Sequence, residues 1–135
     1  MSPVGGSRLI IFNGTAMRGE AAHANLMGAT YVESVSTAPV YRLWSIDDQF
    51  PAMFRDEQRG ASITGELYAV PDDVWPEIEA SEPRGLHCRK VELDDGRIVF
   101  GMLGSESLAG VGREITDFGG WREYLSAKGL ADGDA

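Results

Sequence analysis

The sequence of 135 residues predicts one α+β domain, a small mixed β-barrel or curved, mainly antiparallel sheet with a few flanking helices. Three observations support this fold class. Segments with strand-type patterns outnumber helical ones. An Asp95-Gly96 turn joins two of these segments as a hairpin. The 17 glycines, about one residue in eight, are typical of turn-rich folds rather than helical bundles.

The first half of the chain predicts three strands and one helix. Residues 8–12 form a continuous apolar run that ends at Asn13-Gly14, a pattern typical of a buried strand entering a tight turn. An Ala-rich segment favours a two-turn helix over 20–27. Strands with β-branched and aromatic residues follow over 30–36 and 41–46.

The second half predicts a long strand, a helix, the hairpin and a last helix. Alternating apolar and polar residues over 61–70 indicate a strand, with Gly65 a candidate bulge. Asp72 is the expected cap of a helix through Ile78. The hairpin arms are 87–93 and 97–103. The helix over 121–127 presents Trp121, Tyr124 and Leu125 on one face and ends near Gly129.

Composition and charge limit the domain organisation and the classes of function that the chain can have. We expect a disordered N-terminus at 1–7, the domain at 8–128 and an acidic flexible tail at 129–135. The net charge of −9, without a basic patch, argues against nucleic-acid binding. The apolar runs are too short to span a membrane and no signal peptide is recognisable, so we expect a cytoplasmic location. One cysteine and two histidines make a structural zinc site improbable, and we expect no metal or cofactor.

The loop at 13–19 is the first candidate site. It contains two glycines and follows a buried strand, so its backbone N–H groups are free to point at a small anionic or carbonyl ligand. An ordinary strand-to-helix turn would show the same sequence. Glu82 is the second candidate, because apolar neighbours would raise its pKa toward proton transfer. Spacing alone favours a surface carboxylate over a catalytic one at this position.

The histidines and the cysteine are the remaining candidates. His23 follows the glycine loop closely enough to lean over it, and a neutral imidazole is a suitable base near pH 7. His87 is the first residue of a predicted strand, which is typical of a packed residue or of a residue at the sheet edge. Cys88 has two basic neighbours, yet in a strand it reads as a small buried hydrophobe rather than a catalytic thiol.

Several segments, taken in order, resemble the γ-glutamylcyclotransferase-like superfamily. Residues 10–20, Ile-Ile-Phe-Asn-Gly-Thr-Ala-Met-Arg-Gly-Glu, look like its glycine-rich opening, and further matches lie at 37–43, 50–53, 65–70 and 89–96. The stretch 114–125 is similar to the C-terminal end of allophanate hydrolase, whose C-terminal domain belongs to this superfamily. The resemblance covers residues 8–127 and implies a small mixed β-barrel with flanking helices.

The resemblance also implies a site. In the superfamily's cyclotransferases the glycine loop binds substrate through backbone amides and a glutamate acts as acid and base, a position that aligns with Glu82. The resemblance to the allophanate hydrolase domain places His23 near a histidine of that domain and implies a catalytic role for His23. The implied substrate-binding residues are Asn13, Gly14, Thr15, Ala16, Met17, Tyr41 and Met53.

Departures from the superfamily pattern alter the implied pocket. Asn13 replaces a usual Tyr, Ala16 a usual Leu, and Pro83 a usual Gly, which argues against γ-glutamyl peptides as substrates. The position of Glu82 is usually not acidic in allophanate hydrolase. The alignment puts Glu82 opposite the 13–17 loop, and apolar residues such as Phe50, Met53 and Leu86 should raise its pKa.

Three functions stay open at this point. The first is an enzyme that acts on a small carboxylated amide or carbamate, alongside a separate amidase, since the allophanate hydrolase domain is associated with breakdown of the N-carboxycarbamate product. The second is a γ-glutamylcyclotransferase that releases 5-oxoproline. The third is a non-catalytic assembly partner that docks on an amidase through helix 121–127. An enzyme is favoured, and the sequence leaves a homodimer open.

Overall fold

The computed structural model describes residues 6–108 and 110–129, which contain eight strands and two α-helices. The strands are β1 (Ser7–Phe12), β2 (Thr30–Ser36), β3 (Tyr41–Ile46), β4 (Phe50–Arg55), β5 (Thr64–Pro71), β6 (Leu86–Glu92), β7 (Ile98–Gly104) and β8 (Arg113–Glu114). The α-helices are α1 (Trp75–Ala80) and α2 (Trp121–Lys128), and short 3₁₀ helices lie at His23–Leu26, Glu106–Leu108 and Thr116–Phe118.

The strands form two sheets. The five-stranded sheet has the order β2-β5-β1-β7-β6, and the three-stranded sheet has the order β4-β3-β8. All pairs are antiparallel except β1 with β7, which is parallel. The predicted α+β class with curved, mainly antiparallel sheets is therefore confirmed, and within the described residues the strands do not close into a barrel.

The centre of the five-stranded sheet is buried on both faces, which explains the apolar run in β1. Ile11 contributes to a core shared with the three-stranded sheet and α2, where Trp121 and Tyr124 are buried. Its neighbour Ile10 faces the opposite way, into a second core with Trp75 and Ile78 of α1. Because successive strand residues point to opposite faces, a central strand needs apolar side chains at both positions.

Most predicted elements are confirmed, including the Asp-Gly hairpin and the last helix, which ends at Gly129 in a left-handed conformation. The helix expected over 20–27 is wrong, because only one 3₁₀ turn forms at His23–Leu26. The hydrogen bond from the Ala22 N–H to the Thr15 carbonyl folds the start of this segment back onto the loop, so that N–H is not available for an α-helical bond.

Two local predictions in the long strand and the first helix are also wrong. Gly65 pairs regularly with Val35, and the bulge lies in β2 between Tyr31 and Glu33. A methyl group at Gly65 would lie 2.8 Å from Cγ1 of Ile11, so close packing is the reason for this glycine. Asp72 does not cap α1, which begins after Val74; its carboxylate instead pairs with Arg8 at 3.5 Å.

Strand β4 was not predicted. Pro51 has no N–H to donate, so the segment lacks an evident strand pattern, but β4 is an edge strand, where proline is tolerated.

At the ends of the chain, Ser7 already pairs with Pro71 in β1. The rest of the predicted disordered N-terminus and of the acidic tail, at 1–5 and 130–135, lies outside the described residues. No helix in the described ranges is long and apolar enough to cross a membrane.

Candidate functional site

The glycine loop at 13–19 leaves β1 with unpaired backbone donors. Its turn is closed by a hydrogen bond of 3.1 Å from the Met17 N–H to the Gly14 carbonyl. Within the described part of the chain, the N–H groups of Gly14, Thr15 and Ala16 donate no hydrogen bond. Three consecutive free amides form a concavity suited to a carboxylate or carbonyl oxygen.

Glu82 forms the opposite wall of this concavity. It follows α1, where its N–H donates to the Glu79 carbonyl at 3.1 Å. Its side chain and the loop line one cavity, which we call the Glu82 cavity. The residues around it are Phe12, Asn13, Gly14, Thr15, Ala16, Phe50, Pro51, Glu82, Pro83, Leu86 and Met102. The loop and Glu82, some 70 positions apart, therefore meet as the alignment predicted.

The Glu82 cavity is narrow in this structure. Its free volume of about 20 Å³ has room for about one water molecule. Pro51 limits it most directly, because a methyl group at Gly14 would lie only 2.7 Å from the Pro51 Cδ atom. Any side chain at position 14 would collide with this ring, so the close approach of the two walls requires glycine.

Burial raises the pKa of the Glu82 carboxyl group from its ordinary value to about 7. The walls beside it are mostly apolar, and no cation of the described residues forms an ion pair with it. Near neutral pH the group is therefore present in both its protonated and ionised forms. A carboxyl group in this state can donate or accept a proton in the cavity beside the loop.

Three predicted binding residues are not in the Glu82 cavity. Met17, Tyr41 and Met53 are all at most 2% exposed and belong to the core between the two sheets. Met53 touches the site only indirectly, since its sulfur accepts a hydrogen bond from the Asn13 amide at 3.3 Å. The resemblance implied direct contact, but alternation along β3 and β4 turns Tyr41 and Met53 into the core, and the loop places Met17 there as well.

His23 lies behind the loop rather than in the cavity. Its Nδ1 atom is 3.0 Å from the Ala16 carbonyl oxygen, and the ring lines a separate hollow with Arg18, Tyr31 and Tyr68. The imidazole thus holds the loop from outside. His87 is exposed on β6. Burial raises the pKa of the Cys88 thiol, which favours the unreactive protonated form.

Glu66 is an important residue that the sequence reasoning missed. Its carboxylate is 2% exposed and accepts hydrogen bonds from the Arg18 N–H at 2.9 Å and the Tyr68 hydroxyl at 2.9 Å. The Arg18 and Arg122 guanidinium groups lie 3.2 and 3.4 Å away. Burial opposes ionisation, but these hydrogen bonds outweigh it and lower the Glu66 pKa. The available signal was a glutamate in an otherwise apolar buried strand.

The described residues contain no group of three histidine, cysteine or acidic side chains placed to hold a metal ion. The Glu82 cavity combines a carboxyl group whose pKa is raised with backbone amides that donate no hydrogen bond. That combination is chemically suited to a small oxygen-bearing anion and to the transfer of one proton.

The fold and this site define the class of protein. The architecture is the γ-glutamylcyclotransferase-like one, seen also in an AIG2-like protein from mouse with a TM-score of 0.56 and 18% identity, over 75% of this chain and 78% of that chain. Residues 8–126 match the allophanate hydrolase C-terminal domain, and the chain belongs to that family.

Two solved structures are more similar to this chain than the mouse protein is. A protein specific to uropathogenic E. coli superposes with a TM-score of 0.87 and 36% identity, over 90% of this chain and 97% of that chain. Kluyveromyces lactis allophanate hydrolase gives a TM-score of 0.86 and 26% identity, over 91% of this chain but 22% of that chain.

Among curated relatives, urea amidolyase of Saccharomyces cerevisiae is 28% identical over 121 residues, which are 83% of this chain. The chain spans only 7% of the length of that relative. The match therefore concerns one domain of a much larger protein.

Proposed function

We propose that this domain is an enzyme that acts on a small carboxylated amide or carbamate, with Glu82 as the proton-transfer group. One observation carries the proposal: a carboxyl group with a pKa of about 7 lines the same narrow cavity as three residues whose backbone amides donate no hydrogen bond. The amides would hold a carboxylate of the substrate, and the apolar walls would keep Glu82 partly protonated.

N-carboxycarbamate, the product of allophanate deamination, is the substrate that fits this chemistry best. Protonated Glu82 donates its proton to the central nitrogen while one C–N bond breaks. The electron pair of that bond passes to nitrogen, CO₂ leaves and carbamate remains. Glu82 is left ionised and regains a proton from water. A group with a pKa near the working pH can both give and regain the proton.

The width of the Glu82 cavity favours this substrate class over γ-glutamyl amides. Because the free volume is about 20 Å³, the walls must separate to admit any substrate, and they would have to separate less for the small N-carboxycarbamate than for a γ-glutamyl compound. The replacement of the usual loop Tyr and Leu by Asn13 and Ala16 points the same way.

Assembly with an amidase is the second candidate function. It is favoured by the coverage of the relatives, because this chain corresponds to 22% of K. lactis allophanate hydrolase and thus to one part of a larger enzyme. In this case the domain would bind a separate amidase, and Glu82 would be dispensable.

The test measures CO₂ release when the protein is added to an allophanate-deaminating amidase that lacks this domain. We expect wild-type protein to accelerate CO₂ release and Glu82→Gln to lose about 10²–10⁴-fold of that acceleration. Glu79→Gln, an exposed carboxylate on α1, is the matched control and should behave like wild type. Full activity of Glu82→Gln would reject the catalytic proposal. If that variant also stabilises the amidase against heat, the assembly function replaces it.

A further inference from the structure

We infer that helix α2 sets the width of the Glu82 cavity. Arg122 positions the loop wall, formed by the loop at 13–19, and Tyr124 positions the hairpin wall, formed by the β3–β4 turn with Phe50 and Pro51. The two residues are separated by one position in the helix, yet each is bonded to a different wall. This inference gives the site of the proposed function its positioning residues, and it rests on that function only for its effect on ligand binding.

The loop wall is held through Arg122. Its guanidinium group donates to the Arg18 carbonyl, lies 3.3 Å from the Glu20 carboxylate and lies 3.4 Å from Glu66. Glu66 in turn accepts the Arg18 N–H. Arg18 is two residues beyond Ala16, the last loop residue that lines the cavity. A displacement of Arg122 would therefore release the end of the amide-bearing loop.

The hairpin wall is held through Tyr124. Its hydroxyl donates to the Asp48 carboxylate at 2.5 Å, and Ser45 donates to the same oxygen at 2.7 Å. Asp47 and Asp48 both have left-handed backbone angles, with φ of 54° and 57°, which are costly for residues other than glycine. Two residues later this turn delivers Phe50 and Pro51 into the cavity.

The helix can act on both walls because it is itself fixed. The Trp121 side chain is 2% exposed and Tyr124 is fully buried, so α2 is anchored in the core between the sheets. The two walls already touch where Pro51 meets Gly14. A small shift of either wall relative to this anchored helix would change the space beside Glu82.

The experiment compares Arg122→Gln and Tyr124→Phe with the wild type. Tyr124→Phe removes only the hydroxyl group and keeps the buried ring. Arg97→Gln is the matched control, because Arg97 also pairs with two carboxylates and is 41% exposed against 42% for Arg122, but it contacts neither wall. Backbone hydrogen exchange and binding of malonate, an unreactive dicarboxylate, are measured for each protein.

We expect Arg122→Gln to speed exchange at the Met17, Arg18 and Ala22 amides and to leave Asp48 and Gln49 unchanged. Tyr124→Phe should do the reverse. Each variant should bind malonate about five- to tenfold more weakly, whereas Arg97→Gln should match the wild type. Arg122→Lys should restore part of the protection, because its ammonium group still reaches a carboxylate.

Faster exchange at both walls in each variant, as in general destabilisation, would overturn the inference, and so would unchanged exchange in both. If the wild type does not bind malonate, the proposed substrate class fails, while the exchange pattern still decides whether α2 positions the walls. The two proposals can therefore fail separately.

Discussion

Glu66 and Glu82 are glutamates withdrawn from solvent on opposite sides of the same loop, and their chemistry differs because only one has cationic partners. Arg18 and Arg122 surround Glu66, and its pKa is lowered although its side chain is only 2% exposed. Glu82 faces apolar walls, and its pKa rises to about 7. The comparison shows that burial alone does not set the protonation state of a carboxyl group. The charges and donors enclosed with it decide the outcome.

The two regions therefore serve different purposes. Around Glu66, charge-assisted hydrogen bonds tie the loop to β5 and to α2. Around Glu82, the missing partner leaves a proton available for transfer. In the proposed function, a loop held rigidly on one side would fix the ligand on the other side without neutralising the carboxyl group of Glu82.

The largest expected effect comes from removing the anchor of α2, which carries one of the partners of Glu66. Trp121→Ala should lower the free energy of unfolding by about 3–5 kcal/mol, because it empties a fully packed site. Chemical denaturation measures this. Trp121→Phe is the control and should cost less, since the indole Nε1 has no hydrogen-bond partner in the described residues. Wild-type stability in Trp121→Ala would mean that α2 is not part of the core.

The pH dependence of stability tests whether the pKa of Glu82 is raised. Between about pH 4.5 and 7 the folded protein keeps a proton that the unfolded chain has released, so its stability should fall as pH rises through this range and level off above it. We expect a contribution of about 2–3 kcal/mol. Thermal and denaturant unfolding of Glu82→Gln should therefore match the wild type near pH 4 and show greater stability at pH 8. Parallel pH profiles for the two proteins would contradict a raised pKa.

Glu66→Gln tests a pH dependence of stability that has the opposite sign. The pKa of Glu66 is lowered by folding, so its contribution is present above the ordinary carboxyl pKa and is lost as pH falls through the folded value. At pH 7 the variant should be less stable by about 1–3 kcal/mol, and the difference should shrink under acidic conditions. Glu33→Gln, which breaks an exposed pair with Arg97, is the control and should cost under ~1 kcal/mol. An equal loss in both variants would show that burial adds nothing to the Glu66 pairs.

The smallest effect comes from giving Glu82 the kind of partner that Glu66 has. Leu86→Lys places a cation at the wall of the cavity, so the Glu82 pKa should fall from about 7 into the range of ~4–6. Carboxyl carbon NMR titration measures this directly. Leu86→Met keeps the wall apolar and should leave the titration unchanged. A Glu82 pKa that stays near 7 in the lysine variant would show that the added ammonium group remains in solvent.

Local sequence was enough to predict most of the elements. The Asp-Gly turn between β6 and β7, the continuous apolar run of β1 and the glycine that ends α2 each act within a few residues of the position they shape. Such signals survive in a single sequence because the forces behind them are local. The resemblance to known proteins added the pairing of the glycine loop with Glu82, which no local pattern contains.

Tertiary structure decided what local signals could not. It turned Met17, Tyr41 and Met53 into the core, placed His23 behind the loop and gave Glu66 its arginines from 48 and 56 positions away. The sequence by itself determined where most strands and turns occur and which loop carries two glycines. Only the packed fold decided which carboxyl group received a cation and which did not, because solvation and pairing depend on neighbours brought together from distant parts of the chain.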